Sequence, residues 1–241
     1  MTEPIETLLF DFGGTLDADG VAWKDRFHFL YRDERLTVSA EAFAPDFYAA
    51  DDRLIGCLTP AADLAETVHA LAANLEGELG ERRARAGRPA EPREIGRSRR
   101  VANRFLSETS AILARNRPIL EKLAERYRLG VVSNFYGNLE AVCRSSGLAP
   151  LLDGMADSHC IGAEKPDPAI FRAALDALHA EPETTLFVGD SMRRDCEGAY
   201  RAGLGFIWIA PEGAHARAQA VAGPPVLTAV TALPELLDIL K

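Results

Sequence analysis

The sequence predicts an α/β protein, a parallel sheet with helices on both faces, interrupted early by a long helical insertion. Three observations carry that expectation. From Arg117 onward short apolar runs alternate with amphipathic stretches, several of the runs end on a polar residue, and the stretch from Ala18 to Asn116 holds helical patterns without a convincing strand. Strands buried on both faces read as unbroken apolar runs, and parallel neighbours need a crossover between them, usually a helix.

Taken in order, the first strand is Leu8-Leu9-Phe10. It runs into Asp11-Phe12-Gly13-Gly14-Thr15-Leu16-Asp17, which sets a carboxylate where a strand enters a tight glycine turn. In the insertion, Trp23, Phe27, Leu30 and Tyr31 recur near helical spacing and are expected to pack its interior. The charged segment from Gly80 to Arg100, with Arg82-Arg83, Gly87, Pro89, Pro92 and Arg99-Arg100, reads as a solvated loop or helix junction. Beyond it come a strand from Leu129 to Ser133 and a helix to about Ser146, a strand from Leu186 to Val188 and a helix to about Ala202, and a strand from Phe206 to Ile209. Val226 to Leu240 is expected to return a last strand and helix. The clearest helix follows Glu164-Lys165-Pro166-Asp167-Pro168: Asp167 can cap it, Pro168 suits its first turn, and Ile170, Phe171, Ala174, Leu175 and Leu178 share one face.

A chain of 241 residues, 47% of them apolar, can bury one ordinary α/β core and a smaller module, which excludes disorder. The formal charge of -9 argues against a nucleic-acid partner, which calls for a basic face. There is neither a basic leader nor a run near the ~20 apolar residues that span a bilayer. A cytoplasmic protein with no membrane partner is expected. Cys57, Cys143, Cys160 and Cys196 lie far apart without a Cys-x-x-Cys pair, as reduced structural thiols do. There is no internal repeat.

In an open parallel sheet the ligand crevice lies beyond the carboxyl ends of the strands, at the point where strand order reverses. Asp11, Ser133 and Asp190 each follow or end an apolar run and are expected to converge there. Singly, each reads as a turn or cap residue. Together with Lys165 they read as a site for an anion and a metal. Magnesium prefers oxygen ligands and takes one or two carboxylates, which Asp11 and Asp190 supply. Asp195 suits an outer or water-mediated ligand, or simply an acid at a helix start. Ser133 and the backbone N–H groups after Asp11 and at Asn134 suit phosphate oxygens, and Lys165 adds a point charge. Thr15 either touches phosphate or makes a local hydroxyl bond.

These blocks, in this order, resemble the haloacid dehalogenase-like hydrolase superfamily over residues 7 to 17 and about 118 to 210. The resemblance implies a Rossmann-like core built from residues 1–17 and 117–241, and a helical cap from 18–116 that closes on the site and selects substrate. It implies magnesium-dependent hydrolysis of a small phosphorylated metabolite through an aspartyl-phosphate on Asp11. The implied metal ligands are Asp11, Asp190 and the backbone carbonyl of Gly13, steadied by Asp195. Ser133, Lys165, Asn134 and Thr15 would meet the phosphate, and Trp23, Lys24 and His28 are the cap residues placed to touch substrate. Monomer and homodimer both remain open.

One family residue is missing. Most phosphatases of the family carry an aspartate two positions after the nucleophile, as general acid and base, where this chain has Gly13. Such a loss costs about 100- to 10,000-fold, less than the total acceleration of about a million-fold or more. Hydrolysis therefore survives, slow or favouring good leaving groups such as acyl phosphates and phenols. Asp17, Asp19 and His28 are candidates to stand in. Dehalogenases of the family also lack this aspartate but need no magnesium, against which Asp190 and Asp195 speak. Phosphonatases use a cap lysine, for which the insertion offers Lys24. A degenerate member would bind a phosphorylated ligand or a protein partner without turnover.

Overall fold

The structure, a computed structural model, describes residues 4–89, 94–214 and 226–240. Among these, six parallel strands form one sheet in the order β3-β2-β1-β4-β5-β6. They are β1 (Thr7–Phe10), β2 (Arg128–Ser133), β3 (Gly154–Asp157), β4 (Thr185–Gly189), β5 (Gly205–Ile209) and β6 (Thr228–Val230). The chain builds outward from β1 through β2 to β3, then crosses to β4 on the other side of β1. The order reverses beside β1, so the residues following β1 and β4 share the crevice.

Both faces of the sheet are covered, as the apolar runs require. Leu8, Phe10, Val131 and Val188 pack on one face; Leu9, Val132, Phe187 and Phe206 pack on the other, beneath Ile170, Phe171 and Ala174. Those last residues belong to α7 (Pro168–Leu178), which starts as its sequence foretells: Asp167 accepts the Ala169 N–H at 2.9 Å and Pro168 opens the first turn. Two further helices cover the sheet, α5 (Leu139–Ser145) and α8 (Glu197–Ala202); α6 (Ser158–Ile161) follows β3, and α9 (Leu236–Ile239) follows β6.

Strand β3 is an addition to the sequence reading. Gly-Met-Ala-Asp has no β-branched residue and is four residues long, so it carries no strand signal. Its glycine serves packing: a Cβ on Gly154 would stand 2.7 Å from Leu178 Cδ1, so the bare backbone lets α7 lie against the sheet.

The insertion is helical, as expected: α1 (Trp23–Asp33), α2 (Ala40–Asp52), α3 (Leu64–Arg85) and α4 (Arg97–Ala124). Helix α3 opens on a capping box in which Asp63 and Glu66 satisfy each other's backbone N–H groups. Trp23, Phe27, Leu30 and Tyr31 of α1 are buried with Phe43, Phe47 and Leu71 from α2 and α3, whereas Phe29 is exposed. That cluster is continuous with Leu8, Phe10 and Val131 on the sheet, so insertion and sheet share one apolar interior. Helix α4 runs unbroken through Asn116 and Arg117, the position at which the insertion was expected to end. The junction is thus a rigid helix rather than a linker, and Asn116 fixes it by donating to the Leu16 carbonyl at 3.0 Å.

The charged segment around residues 80–100 does contain the α3–α4 junction, with 90–93, including Pro92, outside the described residues. Arg85, Arg88, Arg99 and Arg100 are exposed as expected, but three other arginines are less solvated. Arg97 is buried and meets Glu76 at 2.6 Å, Arg82 pairs with Asp46, and Arg83 with Glu94. The cysteines are free, Cys143 and Cys196 buried and Cys57 and Cys160 exposed. Among the described residues no helix is long and apolar enough to cross a membrane.

Candidate active site

Strand β1 ends because the next residues cannot continue it. Gly14 holds φ at +90°, a conformation that favours glycine, and a Cβ there would stand 2.6 Å from Asp190 Oδ2. The turn is closed from below by Asp17, whose Oδ1 accepts the Gly14 N–H at 2.7 Å. This close approach sets the backbone after Asp11 against the carboxylate that follows β4.

Asp11 leaves the strand with its amide still bonded to the Val188 carbonyl at 2.9 Å, which keeps the ends of β1 and β4 in register. Its Oδ1 accepts three bonds: from the Phe12 N–H at 2.8 Å, from Ser133 Oγ at 2.7 Å and from Lys165 Nζ at 2.8 Å. Ser133 is the last residue of β2, and Lys165 arrives on the loop before α7. Asn134 anchors that loop, accepting the Lys165 N–H at 2.7 Å and donating to the Lys165 carbonyl at 3.2 Å. Asn134 thereby positions the lysine as well as lining the cavity.

Lys165 is almost wholly buried and also meets Asp195 Oδ1 at 2.7 Å. Burial works against its ammonium, but Asp11 and Asp195 prevail and raise its pKa. Asp195 sits in the turn leading into α8, with Oδ2 accepting the Ser191 N–H at 2.9 Å. Burial pushes its carboxyl up to about 6 against the pull of Lys165. Asp190 is raised well above the ordinary carboxylate range by burial, then by the charges of Asp195 and Asp11.

Ligand oxygens of Asp11, Asp190 and Asp195 all lie within 4.8 Å of one another. Three crowded carboxylates facing one lysine leave negative charge that a hard divalent cation would relieve, and an all-oxygen donor set fits such an ion. Asp195, with Lys165 on one oxygen and a backbone N–H on the other, is suited to orienting the set more than to binding directly.

Above the cluster opens a cavity of about 450 Å³. Asp11, Gly13, Ser133, Asn134, Lys165 and Asp190 line its floor, and Lys24 lines its wall, where Nζ meets Asp25 at 2.5 Å. Thr15 is not brought into it: the side chain is fully buried, and its hydroxyl has no hydrogen-bond partner among the described residues. Nor do the three candidates to replace an acid at position 13 line the cavity. Asp17 is sealed beneath the turn, held by Trp23 Nε1 at 2.6 Å and Arg26 Nη1 at 2.9 Å. Asp19 is clamped by Arg115 at 2.6 Å, and His28 is buried with Nε2 on the Val38 carbonyl at 2.8 Å.

Other wall residues escaped the sequence reading. Asp51 and Tyr136 line the cavity hydrogen-bonded to each other, and burial raises the Asp51 carboxyl above its ordinary range. Phe47, Tyr48 and Phe135 also line it. These residues come from one helix, α2, and from the loop after β2, with no shared motif, so only folding brings them together. Arg193 and Arg194 line the cavity too, and for them a signal existed: they follow Asp190 by three and four residues.

Comparison with known proteins gives the family and the fold. The family model for haloacid dehalogenase-like hydrolases matches residues 5–203. The haloacid dehalogenase-like hydrolase domain-containing protein 3 of Bos taurus is 40% identical over 86 residues, 35% of this chain and 34% of that protein. A glyceraldehyde 3-phosphate phosphatase of Pyrococcus furiosus is 34% identical over 80 residues, 33% of each chain. The chain thus matches about a third of the length of these curated relatives. Over nearly the whole length, the fold is shared with the putative HAD-hydrolase YfnB of Bacillus subtilis, solved with magnesium, at a TM-score of 0.59 and 21% identity, covering 99% of both chains. A turn-borne aspartate, a lysine bridging two carboxylates and a family model spanning most of the sequence lead to one conclusion: the chain belongs to the haloacid dehalogenase-like hydrolases.

Proposed function

We propose that the protein is a magnesium-dependent phosphohydrolase that forms an aspartyl-phosphate on Asp11 and acts on a small phosphorylated compound. The observation that carries this reading is the hold on Asp11: three donors converge on Oδ1, orienting Oδ2 as the attacking oxygen. Phosphoryl transfer needs little covalent chemistry from the protein beyond positioning and neutralisation of charge. Ser133, Lys165 and the turn amides serve those ends. Asp11 and Asp190, with the Gly13 carbonyl, would hold magnesium, and Asp195 would orient them. When bound, the ion supplies positive charge to the phosphoryl oxygens.

In the first step Asp11 Oδ2 bonds to phosphorus and the bond to the ester oxygen breaks, its electron pair leaving with that oxygen. In the second, water attacks the phosphorus of the acyl phosphate, inorganic phosphate departs and the carboxylate returns. Gly13 supplies no acid for the first step and no base for the second. Alcohol leaving groups and the hydrolysis of the acyl phosphate are therefore slow, and the preferred substrates have leaving groups that depart unprotonated. The cap role of α1 to α4 belongs to the same reading: Trp23, Lys24 and Asp51 of the insertion line the cavity over Asp11.

The test is phosphate release from phenyl phosphate with and without magnesium. Asp11→Asn should abolish turnover, and the wild type should show a burst of phenol release followed by slow steady state. Linear progress with fast turnover would remove the slow second step; activity without magnesium would favour dehalogenase-like chemistry. No Asp11-dependent turnover at all would leave a binding protein.

A further inference from the structure

The absence of a side chain at position 13 has a structural partner. A Cβ built on Gly13 would meet the indole of Trp23, at 3.2 Å from Nε1 and 3.4 Å from Cδ1. Even the first carbon of a side chain would sit tighter than ordinary contact, so the ring would have to give by a few tenths of an ångström. That ring is not free to move: Nε1 donates to buried Asp17 at 2.6 Å, and its faces and edges meet Phe105 and Phe135 in T-shaped contacts at 5.2 and 6.1 Å. Asp17 is in turn fixed by Arg26, which lies 3.8 Å over the Phe105 ring. Trp23 nevertheless lines the cavity, beside Phe135 and Tyr136, whose rings are 4.9 Å apart, and with Phe47 and Tyr48 on the same wall.

We propose that Gly13 and Trp23 form a matched pair that sets leaving-group specificity: the indole occupies the space of a residue-13 side chain and offers the leaving group an aromatic wall. The substrate class is then an aryl phosphate, whose planar leaving group packs on aromatic rings and departs without a proton from the enzyme. This deepens the phosphohydrolase reading and rests on it. The remaining carboxylates of the wall are engaged, Asp25 by Lys24 and Asp51 by Tyr136. Aromatic pairs prefer offset or edge-to-face contact and add to simple burial, which suits an aryl group to this wall.

The experiment compares phenyl phosphate with glycerol phosphate in the wild type, Gly13→Asp, Trp23→Leu, Trp23→Phe and the Gly13→Asp/Trp23→Leu double variant. The wild type should prefer the phenyl ester, Trp23→Leu should reduce that preference roughly tenfold through KM, and Trp23→Phe should retain most of it. Gly13→Asp alone should gain nothing on glycerol phosphate, whereas the double variant should gain about 100-fold over Trp23→Leu. An equal gain from Gly13→Asp alone, or an unchanged preference in Trp23→Leu, would overturn the pairing. Loss of glycerol phosphate turnover alone in Asp51→Asn would also overturn it, by making Asp51 the acid. If no variant shows Asp11-dependent turnover, the phosphohydrolase reading fails separately. The pairing is then read by thermal unfolding, where Gly13→Asp should lower Tm in the wild type and much less in Trp23→Leu; equal losses would dismiss it.

Discussion

Lys165 is the residue on which the candidate site balances. Its ammonium is buried between Asp11 and Asp195, and each contact is shorter than 3 Å. Breaking a buried ion pair by deleting one partner leaves uncompensated charge and costs about 3–5 kcal/mol. Lys165→Met should therefore lower the unfolding free energy by about that amount in urea titrations. It should also lower phosphate release, because Oδ1 of Asp11 loses one of its three donors. A variant with full stability would mean that the carboxylates are solvated or protonated instead of paired. The contrast with Thr15 is instructive: its hydroxyl stands in the same turn, yet it faces the interior and meets no partner among the described residues.

At the scale of elements, α1 joins the turn after β1 to α4. Arg26 reaches from α1 to Asp17 at 2.9 Å, to Thr109 Oγ1 at 2.8 Å and to the Phe105 carbonyl at 3.3 Å, all buried. Arg26→Met keeps most of the volume but leaves Asp17 without its cation, and burial already raises that carboxyl. The expected loss is about 3 kcal/mol or more in chemical denaturation. The second expected effect is altered aryl specificity, since Asp17 also orients Trp23. An Arg26→Met protein with wild-type stability and unchanged specificity would show that the helix positions the indole by packing alone.

For the whole molecule, the shared apolar interior and the unbroken α4 tie the insertion to the sheet. Motion of the insertion over the cavity would then bend or shift packed helices, as a shear movement does, instead of turning on a flexible linker. A ligand that binds the folded state alone stabilises it by about 2.7 kcal/mol at a hundred times its Kd. Magnesium should accordingly raise Tm, with EDTA reversing the rise and Asp190→Asn abolishing it. A shift that persists in Asp190→Asn would place the ion elsewhere.

The sequence by itself determined the sheet, its order of blocks and the convergence of Asp11, Ser133, Lys165 and Asp190. Each of these follows a local rule: apolar runs make buried strands, glycines stop them, and polar residues at parallel strand ends face one crevice. Strand β3 escaped because four residues without β-branching carry no periodic signal, and the boundary expected at 116/117 falls inside the continuous α4, which accommodates Pro118. Tertiary structure alone decided the fate of the residues on the insertion. Trp23 and Lys24 reached the cavity while His28 turned to the Val38 carbonyl, a difference of a few residues along one helix. It also decided that Asp17 is sealed away and that an indole stands where a residue-13 side chain would project. Such contacts join residues on separate elements, and their distances are set by how helices pack, which no local pattern encodes.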